Sequence, residues 1–94
     1  MTKTIAADDV MRLTPVMPVV VIEDVGHAEP LARVLLASGI KTIEVTLRTP
    51  AALGAIRAIA SNAPEMIVGA GTVLNADDLA AAADAGARYA LSPG

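Results

Sequence analysis

Within residues 41–48, KTIEVTLR, the chain changes character at every step from Thr42 onward. Ile43, Val45 and Leu47 form an apolar set, and Thr42, Glu44, Thr46 and Arg48 form a polar one. In a β-strand the two sets face opposite sides of the sheet. The polar set holds a carboxylate and a guanidinium close to the end of the strand. A carboxylate and a guanidinium are costly to bury unless they are paired or face a cavity, so this strand end is a candidate site. Downstream, GAGTV at 69–73 brings two glycines and the hydroxyl of Thr72. The glycines permit close approach, either by a ligand to the backbone or by side chains from neighbouring strands. They complete no G-x-G-x-x-G, so this is no dinucleotide fingerprint. SPG at 92–94 places Pro93 in a turn signal, where it could shape a pocket rim or simply end a strand.

The elements that must carry these residues recur along the chain. VMPVVVIED (16–24), TIEVTLRT (42–49), MIVGAGTV (66–73) and RYALSPG (88–94) read as strands at a spacing of about 22 to 25 residues. Between them lie helical patterns: Leu31, Val34 and Leu35; Leu53, Ile56 and Ile59; and, more weakly, Leu79, Ala82 and Ala83. Strands alternating with helices argue for a parallel sheet. Thr49 reads as an N-cap with Pro50 at the first helical position, and Asn75 as an N-cap with Asp77 and Asp78 in the first turn. Gly39 and Gly86 read as left-handed stops. Pro30 fits only a first turn, so its helix starts near Gly26 to Ala28. Residues 6–13 read as a short leading helix. Tyr89, the sole aromatic, reads as core.

The chain of 94 residues is 54% hydrophobic, enough for one small core and too short for two ordinary domains. A closed eight-stranded barrel needs about 200 residues or more, so residues 1–94 read as a single segment of about half that size. An open α/β sheet competes, but its strands are normally apolar on both faces, and strand 42–48 is not. In a barrel the polar set would point inward, at the end where barrel enzymes build their sites. Two other readings stand beside that one: a structural Glu44–Arg48 ion pair, and an edge strand with its polar face in water. A net charge of −3 with dispersed Lys and Arg gives no case for nucleic acid. The absence of Cys fits an intracellular protein, and no run is apolar for the ~18 residues a membrane span requires. MTKTIAADDVMRL has early acids and no apolar stretch, unlike a signal peptide. His27 reads as a surface or capping residue, and Arg57 and Glu65 as solvated.

The stretches VMPVVVIEDVGHAEPLARVLLASGIKTIEVTLRTPAALGAIRAI, PEMIVGAGTVLNADDL and DAGARYALSPG together resemble the 2-keto-3-deoxy-6-phosphogluconate (KDPG) and 4-hydroxy-2-oxoglutarate (KHG) aldolases. The resemblance implies the N-terminal half of a (β/α)8 TIM barrel: four parallel strands with intervening helices and a short leading helix. It implies a class I aldolase of the Entner–Doudoroff pathway, cytoplasmic and trimeric, that cleaves its keto acid to pyruvate and glyceraldehyde 3-phosphate through a lysine Schiff base. No metal and no cofactor are implied, and neither a nucleic-acid nor a membrane partner. Residue by residue, Glu44 falls on the proton shuttle, Arg48 on the carboxylate-binding arginine, Thr72 on the threonine that contacts the pyruvate moiety, and Pro93 on the pocket proline. The Schiff-base lysine and the phosphate-binding glycines belong to the other half of such a barrel. Lys3 and Lys41 are the only lysines here; Lys3 lies in the leader, and Lys41 starts a strand at the end away from the site. The expectation is half of a catalytic site, inactive alone. The alternative is a self-associating structural half-barrel.

Overall fold

The computed structural model describes residues 17–92. The leading helix expected at 6–13, together with Lys3 and Pro93, lies outside the described residues. Four strands, β1 (Val19–Val20), β2 (Thr42–Thr46), β3 (Ile67–Gly71) and β4 (Tyr89–Ala90), alternate with three helices, α1 (Ala28–Ala37), α2 (Ala52–Asn62) and α3 (Ala76–Ala85). The sheet order is β1-β2-β3-β4, and every pairing is parallel. Consecutive strands are therefore neighbours, as in the wall of a (β/α) barrel.

All strands are shorter than their apolar runs. Among the described residues β1 and β4 are the edges of the sheet, and each is two residues long. β2 ends at Thr46, so Leu47 and Arg48 belong to the turn that follows, a correction to the longer strand read from the sequence.

The ladder register sorts the side chains into two faces. Val20, Val45, Ala70 and Ala90 form one row across the sheet, and Ile43 pairs with Val68. Ile43, Val45, Val68 and Ala70 join Ala28, Ala32, Ala52, Ala55, Ile56, Ile59, Ala82 and Ala85 in the core between sheet and helices. Alanine supplies most of the helix side, so helices sit close to the sheet without an aromatic filler. Burying Ile56 and Ile59 completely contributes roughly 1.5–3 kcal/mol each. Val19, Glu44, Gly69 and Tyr89 form the row on the other face, with Thr46 and Gly71 paired beyond it.

Local chemistry explains the helix ends. Ile40 N–H donates to Leu35 O at 2.9 Å and Gly39 N–H to Leu36 O at 3.0 Å, with Gly39 at φ 86. Gly86, at φ 109, ends α3 with the same pattern onto Ala82 and Ala83. α1 starts at Ala28 behind a 3-10 turn, Val25–His27, so Pro30 lies in its first turn. Asn75 caps α3, its Oδ1 accepting from Asp78 N–H at 2.8 Å, while Asp78 Oδ2 accepts from Leu74 N–H at 3.2 Å. Thr49 does not cap α2. Ala51 occupies that position without a side-chain cap, and the Thr49 hydroxyl donates to Ile22 O in the loop after β1. Thr46 Oγ1 likewise donates to Val20 O at 3.3 Å, so two hydroxyls from the β2 side hold the short first strand in place.

Candidate active site

The site is built from the ends of β2 and β3. Glu44 sits mid-strand on the face away from the helices, with only 8% of its surface exposed. β2 is paired on both flanks, so it is no edge strand. Glu44 forms no ion pair with Arg48; the Arg48 Nε–H donates instead to Thr72 Oγ1 at 3.4 Å. The edge-strand and ion-pair readings are thereby removed. Burial without that cation pushes the Glu44 carboxyl above its ordinary range. A carboxyl shifted in this direction holds and releases protons closer to neutrality than an exposed glutamate.

The two glycines of GAGTV serve side chains of the neighbouring strands. A Cβ on Gly71 would lie 2.9 Å from Cδ of Glu44 and 3.1 Å from its Cγ, so the carboxylate leans into the space this glycine leaves. A Cβ on Gly69 would collide with the Tyr89 ring. Of the two uses left open for these residues, close approach of side chains is the one this structure contains.

Thr72, the residue immediately after β3, has φ 59. A β-branched residue is seldom found in that left-handed region, where it costs of order 1–3 kcal/mol, and strain of this kind concentrates at functional sites. The turn presents the Thr72 hydroxyl to Arg48 at the C-terminal end of the sheet. Arg48 is exposed on that rim, two residues past the end of β2. Lys41 is exposed just before β2, at the opposite end of the sheet from Arg48 and Thr72. His27 is exposed near Asp24, and Asp77 and Asp78 serve the start of α3. Arg57 and Glu65 take part in exposed ion pairs with Asp84 and Arg33, at 3.5 and 3.7 Å.

Tyr89 is core, as the sequence indicates, and the strand register adds which face of the sheet it occupies. It is buried at 2% exposure, but on the Glu44 face, outside the apolar cluster between sheet and helices. Its hydroxyl donates to Ile43 O at 3.4 Å and lies 3.2 Å from Met17 Sδ. Burial, then the nearby Glu44 charge, raises its pKa well beyond the ordinary tyrosine range, so the ring stays neutral. Among the described residues no three His, Asp or Glu side chains gather as metal ligands would.

A parallel strand–helix alternation with polar groups collected at the strand ends defines a segment of a (β/α) barrel enzyme fold. Residues 7–94 match the family described as KDPG and KHG aldolase, and the chain belongs to that family. It is 55% identical to the 2-dehydro-3-deoxy-phosphogluconate aldolase of Pseudoalteromonas atlantica, with 100% of this chain and 45% of that protein aligned. It is 52% identical to the KHG/KDPG aldolase of Escherichia coli, over 95% of this chain and 42% of that protein. The crystal structure of the Zymomonas mobilis KDPG aldolase with 3-phosphoglycerate superimposes with a TM-score of 0.86 at 56% identity, over 93% of this chain and 41% of that one. The Legionella pneumophila KDPG aldolase, with pyruvate captured as a covalent carbinolamine, gives a TM-score of 0.87 at 44% identity, over 92% of this chain and 42% of that one. The chain thus spans less than half the length of these relatives.

Proposed function

We propose that this chain forms the pyruvate-binding half of a class I aldolase that cleaves 2-keto-3-deoxy-6-phosphogluconate to pyruvate and glyceraldehyde 3-phosphate. The observation that carries the reading is Glu44: buried, unpaired with Arg48, its pKa raised, and leaning toward the strand ends where Arg48 and Thr72 meet. The Schiff-base lysine is assigned to a part of the protein outside residues 1–94, as the family resemblance implies, and Lys41 stands at the other end of the sheet from Arg48 and Thr72. Arg48 and the Thr72 hydroxyl hold the substrate carboxylate. The lysine amine adds to the C2 carbonyl, and loss of water gives an iminium. Glu44 then removes the proton of the C4 hydroxyl, the C3–C4 bond breaks, and its electron pair passes into the iminium as an enamine while the aldehyde leaves. Protonation of the enamine at C3 and addition of water release pyruvate and restore the amine. Pro93 contributes to the pocket rim, and the working enzyme is a cytoplasmic homotrimer.

An assay of pyruvate release tests this. The full-length protein turns over and loses activity in the Glu44→Gln variant, and residues 1–94 alone are inactive. Borohydride with pyruvate labels a lysine outside residues 1–94; a label on Lys41 contradicts the assignment. A second reading, a self-associating half-barrel without turnover, is favoured by β1 at the sheet edge, where Val19 is 58% and Val21 54% exposed. Light scattering on the isolated 94-residue chain decides it, because a folded monomer excludes that reading.

A further inference from the structure

The aldolase reading assigns no role to the sole aromatic side chain, although Tyr89 shares its sheet row with Glu44. Gly69 and Gly71, two positions apart on one face of β3, leave two recesses. Gly69 receives the Tyr89 ring and Gly71 the Glu44 carboxylate. The ring tip is fixed at Ile43 O and Met17 Sδ, level with residues that precede the Glu44 row. The ring therefore fills the layer beneath Glu44, on the side away from the strand ends. β1 contributes Val19 to the row and β3 contributes only glycine. Among the described residues, the titratable and charged groups on this face are Glu44, Tyr89 and, on the rim, Arg48.

We infer that Tyr89 is a positioning residue for Glu44: its flat ring, seated over Gly69, is the floor that keeps the carboxylate raised toward the C-terminal mouth of the sheet and shut off from water below. The inference rests on the aldolase reading for its consequence in catalysis, but not for the geometry. The ring carries the effect, and the hydroxyl serves as a tether to Ile43.

The test uses the full-length protein with Tyr89→Phe, Tyr89→Leu and Tyr89→Met. Two quantities are followed: the Glu44 carboxyl titration by carbon NMR, and the pH profile of pyruvate release. Tyr89→Phe keeps the ring, so Glu44 titrates as in the wild type and kcat changes less than about threefold. Tyr89→Leu opens the floor. The Glu44 titration then moves to lower pH, the acid limb of kcat/KM moves with it, and kcat falls by tenfold or more while KM for the keto acid stays within about threefold. Should Tyr89→Leu fail to fold, Tyr89→Met keeps apolar bulk without the rigid ring and gives the same displacement in smaller measure. An unshifted Glu44 titration in a folded Leu or Met variant overturns the inference, as does a shift in Tyr89→Phe equal to that in Tyr89→Leu. If instead Glu44→Gln leaves turnover intact, the aldolase role of Glu44 fails, while the titration still reports on Tyr89.

Discussion

Replacing Gly71 by alanine puts a methyl group where the Glu44 carboxylate now leans. The new Cβ would stand 2.9 Å from Cδ and 3.1 Å from Cγ of Glu44, against an ordinary contact range of 3.4–4 Å. Glu44 cannot retreat with its backbone, because β2 is paired to β1 and to β3 on either side. The side chain must rotate, which costs roughly 0.5–1.5 kcal/mol if it leaves its rotamer, within the ~1–3 kcal/mol usual for overpacking. Urea denaturation is therefore expected to register a loss of about 1–2 kcal/mol. The carboxylate is displaced by about 1 Å, an error that lowers turnover by about 10²-fold when it falls on a proton-transfer group. Arg48 and Thr72 keep their contact, so KM for the keto acid changes little. A double-mutant cycle isolates the cause: once Glu44→Ala has removed the obstructed side chain, adding Gly71→Ala costs nothing further. Equal costs of Gly71→Ala in the wild-type and Glu44→Ala backgrounds, or a Gly71→Ala variant with unaltered stability and turnover, refute the account of this contact.

Other expectations follow from single residues. Thr72→Gly relieves a β-branched residue at φ 59, so it should raise stability by about 1 kcal/mol while weakening keto-acid binding through the lost hydroxyl; a stability loss of that size speaks against strain at Thr72. The Glu44 carboxyl is raised from 4.5 in the folded protein, so between that pH and its folded pKa the native state binds more protons than the unfolded chain. Stability contributed by this group is present below that window and is lost as pH rises through it. Glu44→Gln lacks this loss, and its unfolding midpoint relative to wild type should rise between pH 4 and pH 7; a constant difference contradicts a raised pKa. Asn75→Ala removes the Oδ1 that accepts Asp78 N–H at 2.8 Å and should cost about 1 kcal/mol in a denaturant titration, with substrate affinity unaffected.

The parallel strand–helix order was legible because β-branched runs and Ala- and Leu-rich segments carry their periods locally. Gly39, Gly86 and Asn75 were equally plain, since a stop or a cap is fixed by a few adjacent residues. The alternation of 42–48 correctly put Glu44 on the face away from the helices. What stayed hidden depends on neighbouring strands. Thr49 has every property of a cap, yet its hydroxyl goes to Ile22, whose approach no local pattern reveals. Strand ends were overestimated because apolar runs persist where ladder partners stop. The burial of Tyr89 was legible, but its place in the row of Glu44 was not, because only the register sets it opposite Gly69. A hint was available: two glycines spaced by two on one strand need bulky neighbours to fill the gap, and Tyr89 is the only large ring in the chain.

The most direct test of the central claim is a crystal structure of the full-length protein after borohydride trapping with pyruvate. The account predicts the carboxylate of the trapped molecule within hydrogen-bond distance of Arg48 and Thr72, and its C3 carbon facing the Glu44 carboxyl, with the covalent link to a lysine outside residues 1–94. A trapped pyruvate whose carboxylate is held elsewhere, with Arg48 and Thr72 still bonded only to each other, contradicts it.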